Sequence, residues 1–383
     1  TPDLIATDPG ITILQGEKDC IRYRDLDRFI EEMQCFYPHP KHSEFWKLVR
    51  ALQEAFYTHE TSYYYSNRSR LKKIASLMSF FSLLKTFRRY LFSNAREFIQ
   101  KFYGDITESY LDFLDAQILI VAQANSEKIN FLTAALALGY TFNETHYPLG
   151  GMGAVCESLT SKIPDIRKEC EVIMVKRDKG LYHITTTQGF IYARNLIMGT
   201  SHYESSKWFD DREIRDYYAS FEKLHNDQSA YVLYMKVKTD TVFQHHYQLI
   251  NDKMIPYTLS KSLFVSFSDP SDSGFDSGYY HITASIHTDS RAWLSLSPSH
   301  YKTQKKELHD LLRGWICDRL SIQSDAIVES FASTPKTFRR YINRTQLGGN
   351  AMTLSNFLPL LPSNDTPITA FYQVGDTSYP PQR

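Results

Sequence analysis

No charge surplus of either sign exists in this sequence: 43 Lys and Arg stand against 43 Asp and Glu in 383 residues. A nucleic-acid binder draws its affinity from excess cations facing phosphate, so the balance argues against that class and no nucleic-acid partner is expected. Cysteine is scarce. Cys20, Cys35, Cys156, Cys170 and Cys317 are odd in number, widely scattered and form no CxxC pair, which fits reduced thiols better than a disulfide framework or a zinc site. No run of 18 or more apolar residues suggests a membrane span, and no signal peptide begins the chain. A cytoplasmic address is therefore expected, and the Thr at position 1 leads us to expect that the native start lies upstream. No strand leads into a G-x-G-x-x-G turn. Ser201-His202 lacks a G-x-S-x-G context, so hydrolase chemistry has little support.

What is present reads as an ordinary folded protein long enough for two domains, 42% hydrophobic and 22% charged. Aromatic content is high, with 26 Tyr and 24 Phe. Such a set builds either aromatic cores or an apolar tunnel, and composition does not separate the two. Ile11-Thr12-Ile13-Leu14 and Ile21-Arg22-Tyr23 alternate around Gln15-Gly16-Glu17, which predicts a hairpin. Asp25 is placed to cap a helix carrying Leu26, Phe29, Ile30 and Met33, closed by Pro38 and Pro40. Residues 43–140 have a nearly continuous helical pattern, with very few glycines and no proline. After Gly139 the pattern changes to a glycine-rich turn, a helical run Ala154–Ile163 and strands at Glu171–Lys176, Leu181–Thr186 and Gly189–Ala193. Further strands are expected at Tyr231–Val237, Tyr247–Ile250, Leu263–Phe267 and Tyr280–Ile286, then a helix Ser299–Leu320 and a strand Ile368–Val374.

Lys72 to Phe92 is a basic amphipathic stretch. It predicts either a helix packed on the protein's own core or one lying on a bilayer surface, giving peripheral membrane contact. Tyr63-Tyr64-Tyr65 is expected to pack on a helix face. His245-His246 resembles a metal pair, but neighbours on a strand point to opposite faces, so no metal site is expected there.

Two glycine clusters carry the chemistry. Gly150-Gly151-Met152-Gly153 precedes a helix, where backbone N–H groups can approach a ligand and the helix start favours negative charge. Gln373-Val374-Gly375-Asp376-Thr377 ends a strand, which sets a carboxylate beside a backbone able to approach cofactor hydroxyls and phosphates. Each alone is an everyday turn.

Tyr147 to Gly153, YPLGGMG, is similar to the YPxGGMG segment of the phytoene desaturase and carotenoid isomerase family of FAD-dependent, amine-oxidase-type oxidoreductases. Glu171–Lys176 resembles the strand whose backbone meets the adenine, with Val172 the implied contact. Gly189-Phe190-Ile191-Tyr192-Ala193 through Gly199 resembles the family's "dG..i.Ad.vi" stretch. Ser333-Thr334-Pro335-Lys336-Thr337-Phe338 with Arg339-Arg340-Tyr341 resembles its "TP.T..ry" signature, followed by Gly348-Gly349. Gly375-Asp376-Thr377 resembles the closing flavin-contact motif. The helix ending at Phe36-Tyr37-Pro38 fits the family's early substrate-domain region. The chain departs from the pattern in lacking the G-x-G-x-x-G turn and in running Tyr379-Pro380-Pro381-Gln382-Arg383 where the family continues Pro-Gly-Gln-Gly.

The resemblance implies an α/β fold with an α+β substrate domain, in which an incomplete glutathione-reductase-like FAD-binding domain interleaves with a substrate domain of mixed sheet and helices. Residues 1–139 and 206–330 would form the substrate domain, and 140–205 and 331–383 the FAD domain. It implies FAD as cofactor, held by Gly150, Gly151, Met152, Gly153, Val172, Gly199, Gly375, Asp376 and Thr377. It implies an apolar polyene substrate, with Tyr147, Arg339 and Tyr341 facing its cavity. No catalytic side chain is assigned, because the flavin does the bond chemistry. An amine or small-molecule oxidase of the same fold, and a non-catalytic binding protein that lost FAD, remain alternatives. The oligomeric state is left open.

Overall fold

The computed structural model describes residues 2–60, 70–354, 356 and 362–378, so Tyr63-Tyr64-Tyr65 lies outside the described residues. Strand β1 (Leu4–Thr7) is followed by the expected hairpin, β2 (Ile11–Gln15) and β3 (Lys18–Arg22), turning at Gly16 with φ +57°. Helix α1 (Leu26–Phe36) follows, capped by Asp25, whose carboxylate accepts from the Arg28 N–H at 2.9 Å. The proline-free stretch then folds as α2 (His42–Glu60), α3 (Arg70–Leu91), α4 (Ala95–Tyr103), α5 (Glu108–Ala122) and α6 (Phe131–Gly139).

Much of the aromatic content fills this helical block. Phe29, Phe45, Trp46, Phe113 and Phe131 are fully buried, with Phe29 and Phe45 each edge-to-face on Trp46. Arg22 enters the same core. Its guanidinium sits 3.8 Å from the Phe29 ring centroid and donates to the Leu138 carbonyl at 2.6 Å, and burial pulls its pKa down to about 10.

After Gly139, β4 (Thr145–Pro148) pairs antiparallel with β1, a pairing between short segments that sequence alternation does not reveal. Helix α7 (Gly151–Thr160) starts three residues earlier than expected and stops before Ile163, because Pro164 disfavours helical backbone in the residue ahead of it. Strands β5 (Val172–Asp178), β6 (Leu181–Thr186) and β7 (Gly189–Ala193) form an antiparallel sheet at the expected positions. Then come β8 (Leu196–Met198), α8 (His202–Ser205) and α9 (Arg212–Ala219).

The strand-rich region gives β9 (Gln228–Lys238), β10 (His246–Ile250), β11 (Ser262–Phe267) and β12 (Tyr279–Asp289), then α10 (Ser290–Ser295) and α11 (Pro298–Leu320). Strand β13 (Ile327–Ser333) was not anticipated. The Thr-Pro signature becomes α12 (Pro335–Ile342), with the Thr334 N–H donating to the Thr337 hydroxyl at 3.1 Å. Strand β14 (Phe371–Gln373) is shorter than the expected Ile368–Val374. Ala370 adopts φ +59° and Thr366 Oγ1 accepts from the Ile368 N–H at 3.2 Å, so Ile368 to Ala370 form a turn instead.

A mixed sheet of order β13-β9-β12-β11-β10-β2-β3 joins the opening hairpin to strands more than 200 residues later, with β10 and β2 parallel and the other pairs antiparallel. One face, with Leu233, Leu249, Val265 and Ala284, packs on Leu308, Leu312 and Ile316 of α11. The opposite face presents Gln248, Phe264, Ser285 and His287 toward α5. A separate pair, β14 parallel to β8, packs through Phe371, Leu196 and Met198 on Val172, Val175 and Tyr182 of β5 and β6.

Candidate functional site

The two glycine clusters lie in different surroundings. At the first, the Asp272 carboxylate collects three donors: the Gly150 N–H and the Tyr147 hydroxyl, each at 2.8 Å, and the Gly274 N–H at 2.9 Å. Burial alone would raise this carboxyl, but the bonds from Gly274, Tyr147 and Gly150 prevail and hold it below its usual range. The Gly150 N–H is thus engaged within the chain and is not turned to a ligand. Gly151 and Gly153 do have open space beside them, with no atom within 4 Å of where a Cβ would sit, and Met152 is 68% exposed.

Tyr147 stacks on His245 at 5.1 Å and borders a cavity of about 350 Å³ with Tyr234, Lys236 and His281. Burial, and its bond to Asp272, raise the Tyr147 phenol, so it stays protonated at neutral pH. The expected divergence of the adjacent histidines is observed. His245 reaches Asp269 at 3.3 Å while His246 meets Ser266 at 3.2 Å, and no metal-binding group of His, Cys, Asp or Glu occurs among the described residues.

The second cluster is gripped from two sides. From one side, the Gly199 carbonyl lies 3.7 Å from where a Gly375 Cβ would stand, the Met198 carbonyl accepts from the Val374 N–H at 2.8 Å, and Gln373 Nε2 donates to the Thr200 carbonyl. His202 meets Thr377 Oγ1 through its N–H at 3.3 Å and its Nδ1 at 2.9 Å. Burial lowers the His202 pKa to about 3, so it is a neutral ring holding a turn. From the other side Arg344 pairs with Asp376 at 2.9 and 3.1 Å, and Asn350 Nδ2 donates to the Thr377 carbonyl at 2.8 Å. Gly349, at φ +73°, presses its Cα face against the Asp376 carbonyl. Gly199, Gly375, Asp376 and Thr377 are therefore assembled, and Val172 packs into the same hydrophobic cluster as Leu196 and Met198.

Other candidates are dispersed. Arg339 borders a cavity of about 450 Å³ with Tyr203, Glu204 and His225, and Tyr341 stands 73% exposed. No hydrogen bond or strand pairing among the described residues joins Gly150 directly to Asp376. Sequence reasoning missed Asp272, Arg344 and the holding role of His202. Only Asp272, in Ser271-Asp272-Ser273-Gly274, carries a local turn signal.

Helix α3 divides along its length. Leu83, Phe87 and Leu91 are buried, whereas Leu71, Ile74, Met78 and Phe81 form an exposed stripe at helical spacing. No described helix is long and apolar enough to cross a membrane.

Comparison with known proteins follows the same lines. No family model matches the chain. The chloroplastic prolycopene isomerase of Daucus carota is 26% identical over 387 residues, covering 94% of this chain and 61% of that protein. The chain spans less than two-thirds of the length of the curated relatives it matches, and their chloroplastic names give no support to a cytoplasmic address. Among solved structures, an oxidoreductase from Methanosarcina mazei superposes with TM-score 0.57 at 13% identity, over 98% of this chain and 78% of that one. Cyclohexylamine oxidase from Brevibacterium oxydans gives 0.54 at 11%, over 98% and 77%. In sequence the chain is similar to prolycopene isomerases, and in fold it is similar to oxidoreductases of the amine-oxidase type.

Proposed function

We propose that this chain is the core of an FAD-dependent oxidoreductase that desaturates or isomerises a carotenoid-like polyene or related apolar substrate. The observation that carries the reading is the two-sided grip on Gly375–Thr377 at the ends of the parallel pair β8 and β14. Glycines at 199 and 375 keep side chains away from the strand ends, and Gly199 has no atom within 4 Å of a would-be Cβ. Arg344 offsets the charge of Asp376, which suits that carboxylate to a diphosphate-bearing ligand. Gly375, Asp376 and Thr377 hold the ribityl–diphosphate part, the Val172 backbone takes the adenine, and Gly151–Gly153 approach the ring. A flavin bound there supplies the hydride or electron exchange. Residues 140–205 and 331–383 serve the cofactor, and residues 1–139 and 206–330 the substrate.

The chain purified with excess FAD and freed of unbound dye is expected to keep the flavin absorbance bands; a colourless product overturns the reading. Gly153→Ala tests the α7 contact separately. Alanine in a helix interior is expected to add about 0.5–1 kcal/mol of stability, while its methyl group fills the open space and weakens FAD binding on the order of 10-fold, about 1.4 kcal/mol. A stabilised variant with unchanged affinity in a flavin-fluorescence titration removes α7 from the site.

The same proposal gives α3 a role at a bilayer surface, through which an apolar substrate enters. Leu71, Ile74, Met78 and Phe81 supply the apolar stripe, and Lys85, Arg88 and Arg89 the adjacent charge. Ile74→Glu with Phe81→Glu is expected to cut co-sedimentation with acidic vesicles several-fold without shifting thermal unfolding, since both side chains are exposed. Undiminished sedimentation excludes the stripe.

A further inference from the structure

The sheet face turned toward α5 has a polar patch that a hydrocarbon does not explain. A cavity of about 230 Å³ lies between α5 and strands β9 to β12. Leu119, Ile120, Phe264 and Leu347 give it an apolar wall. Gln123, Gln248, Ser285 and His287 also line it, and no Asp, Glu, Lys or Arg is among the residues around it.

Hydrogen bonding fixes what these groups can do. Gln123 Nε2 donates to the Ile120 carbonyl at 2.8 Å, which settles the orientation of its amide. Its Oε1 accepts from Gln228 Nε2 at 2.7 Å and lies 3.0 Å from His287 Nε2. An oxygen can only accept there, so His287 Nε2 carries the proton and Nδ1 is left as an acceptor. Burial lowers the His287 pKa to about 4, which keeps the ring neutral. Gln248 is 1% exposed and stands on the same sheet face, and its Oε1 has no hydrogen-bond partner among the described residues. The cavity thus presents two acceptors, Gln248 Oε1 and His287 Nδ1, beside the Ser285 hydroxyl, which can accept or donate.

We infer that this cavity receives the hydroxyl-bearing end of an otherwise apolar chain, so that the substrate is an alcohol and not a bare hydrocarbon. The inference rests on the flavin-oxidoreductase reading for its apolar substrate and adds the chemistry of one end. A hydroxyl donates to Gln248 Oε1 and accepts from Ser285. An aldehyde offers no donor, and a hydrocarbon leaves a buried acceptor unmade. An ammonium or a carboxylate would find no opposite charge on the walls. The cavity also abuts the candidate cofactor grip: Leu347 and Gly348 line it, and the next residue, Gly349, is the one pressed against Asp376.

The test uses three C20 isoprenoid probes of equal length, geranylgeraniol, its aldehyde and the hydrocarbon lacking oxygen, competed against a fluorescent polyene on the full chain. The alcohol is expected to bind on the order of 10-fold more tightly than either of the others. Gln248→Leu is expected to remove that preference while leaving hydrocarbon affinity within about 2-fold, a comparison in which differences in probe solubility cancel. Equal binding of all three probes overturns the inference and leaves the flavin reading standing. An alcohol preference that survives in Gln248→Leu also overturns it. Failure of every probe to bind, in a chain that retains FAD, removes the apolar-substrate reading as well. Should Gln248→Leu fail to fold, the probe series on the unaltered chain still decides.

Discussion

Gly349→Ala is expected to lose about 3 kcal/mol of stability and most of its affinity for FAD. Two costs add. A left-handed backbone at φ +73° is unfavourable for alanine by about 1–2 kcal/mol. The new methyl would also collide with the Asp376 carbonyl oxygen and stand 3.2 Å from its carbon, and forcing the two segments apart costs a further 1–3 kcal/mol or so. Both partners are backbone, so no side-chain rotation relieves the contact. Separation would loosen the Arg344–Asp376 pair and the Asn350 bond to the Thr377 carbonyl together. Urea unfolding should show a lower midpoint with unchanged slope, and flavin titration a matching loss. A variant as stable as the parent would mean that this turn is not closed as described.

Acidification from pH 7 to pH 5 is expected to destabilise the chain steeply. Burial lowers the imidazole pKa to about 3 at His202, and to about 4 at His246 and His287. The nearby Gln123 and Thr377 are uncharged, and His245 beside His246 depresses it further. Between these values and the unfolded value of 6.5 the unfolded chain binds more protons, so stability rises with pH in that window and falls as pH drops through it. At pH 5 each ring withdraws up to about 2 kcal/mol. Three together approach the whole stability of an ordinary domain, about 5–15 kcal/mol. Carboxylates held low, such as Asp272 and Asp310, add their loss only below the usual carboxylate pKa of 3.8 and do not blur the window. Urea midpoints at pH 7 and 5 measure the effect, and His202→Asn should flatten the slope by about one proton. Equal midpoints would show that these rings are not neutral and buried.

Sequence alone reached far into this fold, and its failures share a cause. Strands β9 to β12 and β5 to β7 were legible because alternation reports a half-buried face directly. The helices of residues 42–139 were legible because no proline interrupts them. The parallel pairing of β8 with β14, and the short strands β1 and β4, are set by tertiary partners and leave little periodic trace. The site behaves likewise. Gly375 and Asp376 stand out as a motif, but Arg344 and His202 belong to the grip only through folding. The Gly150 N–H shows the converse. Its glycine context invited a ligand role, and Asp272, 122 residues away, takes the bond. Arg339 and Tyr341 share a helix with the Thr-Pro signature yet stand apart from the cavity at Tyr147.

The turn at Gly375–Thr377 also sets a timetable for biosynthesis. His202 and its hydroxyl partner Thr377 are 175 positions apart, and β8 finds its pairing edge only when Phe371 to Gln373 have been made. A nascent chain therefore carries an open, apolar strand edge until those residues emerge, a hazard for mispairing with neighbours on the same polysome. Truncated products ending anywhere before Phe371 would lack the grip altogether and keep that edge of β8 unpaired.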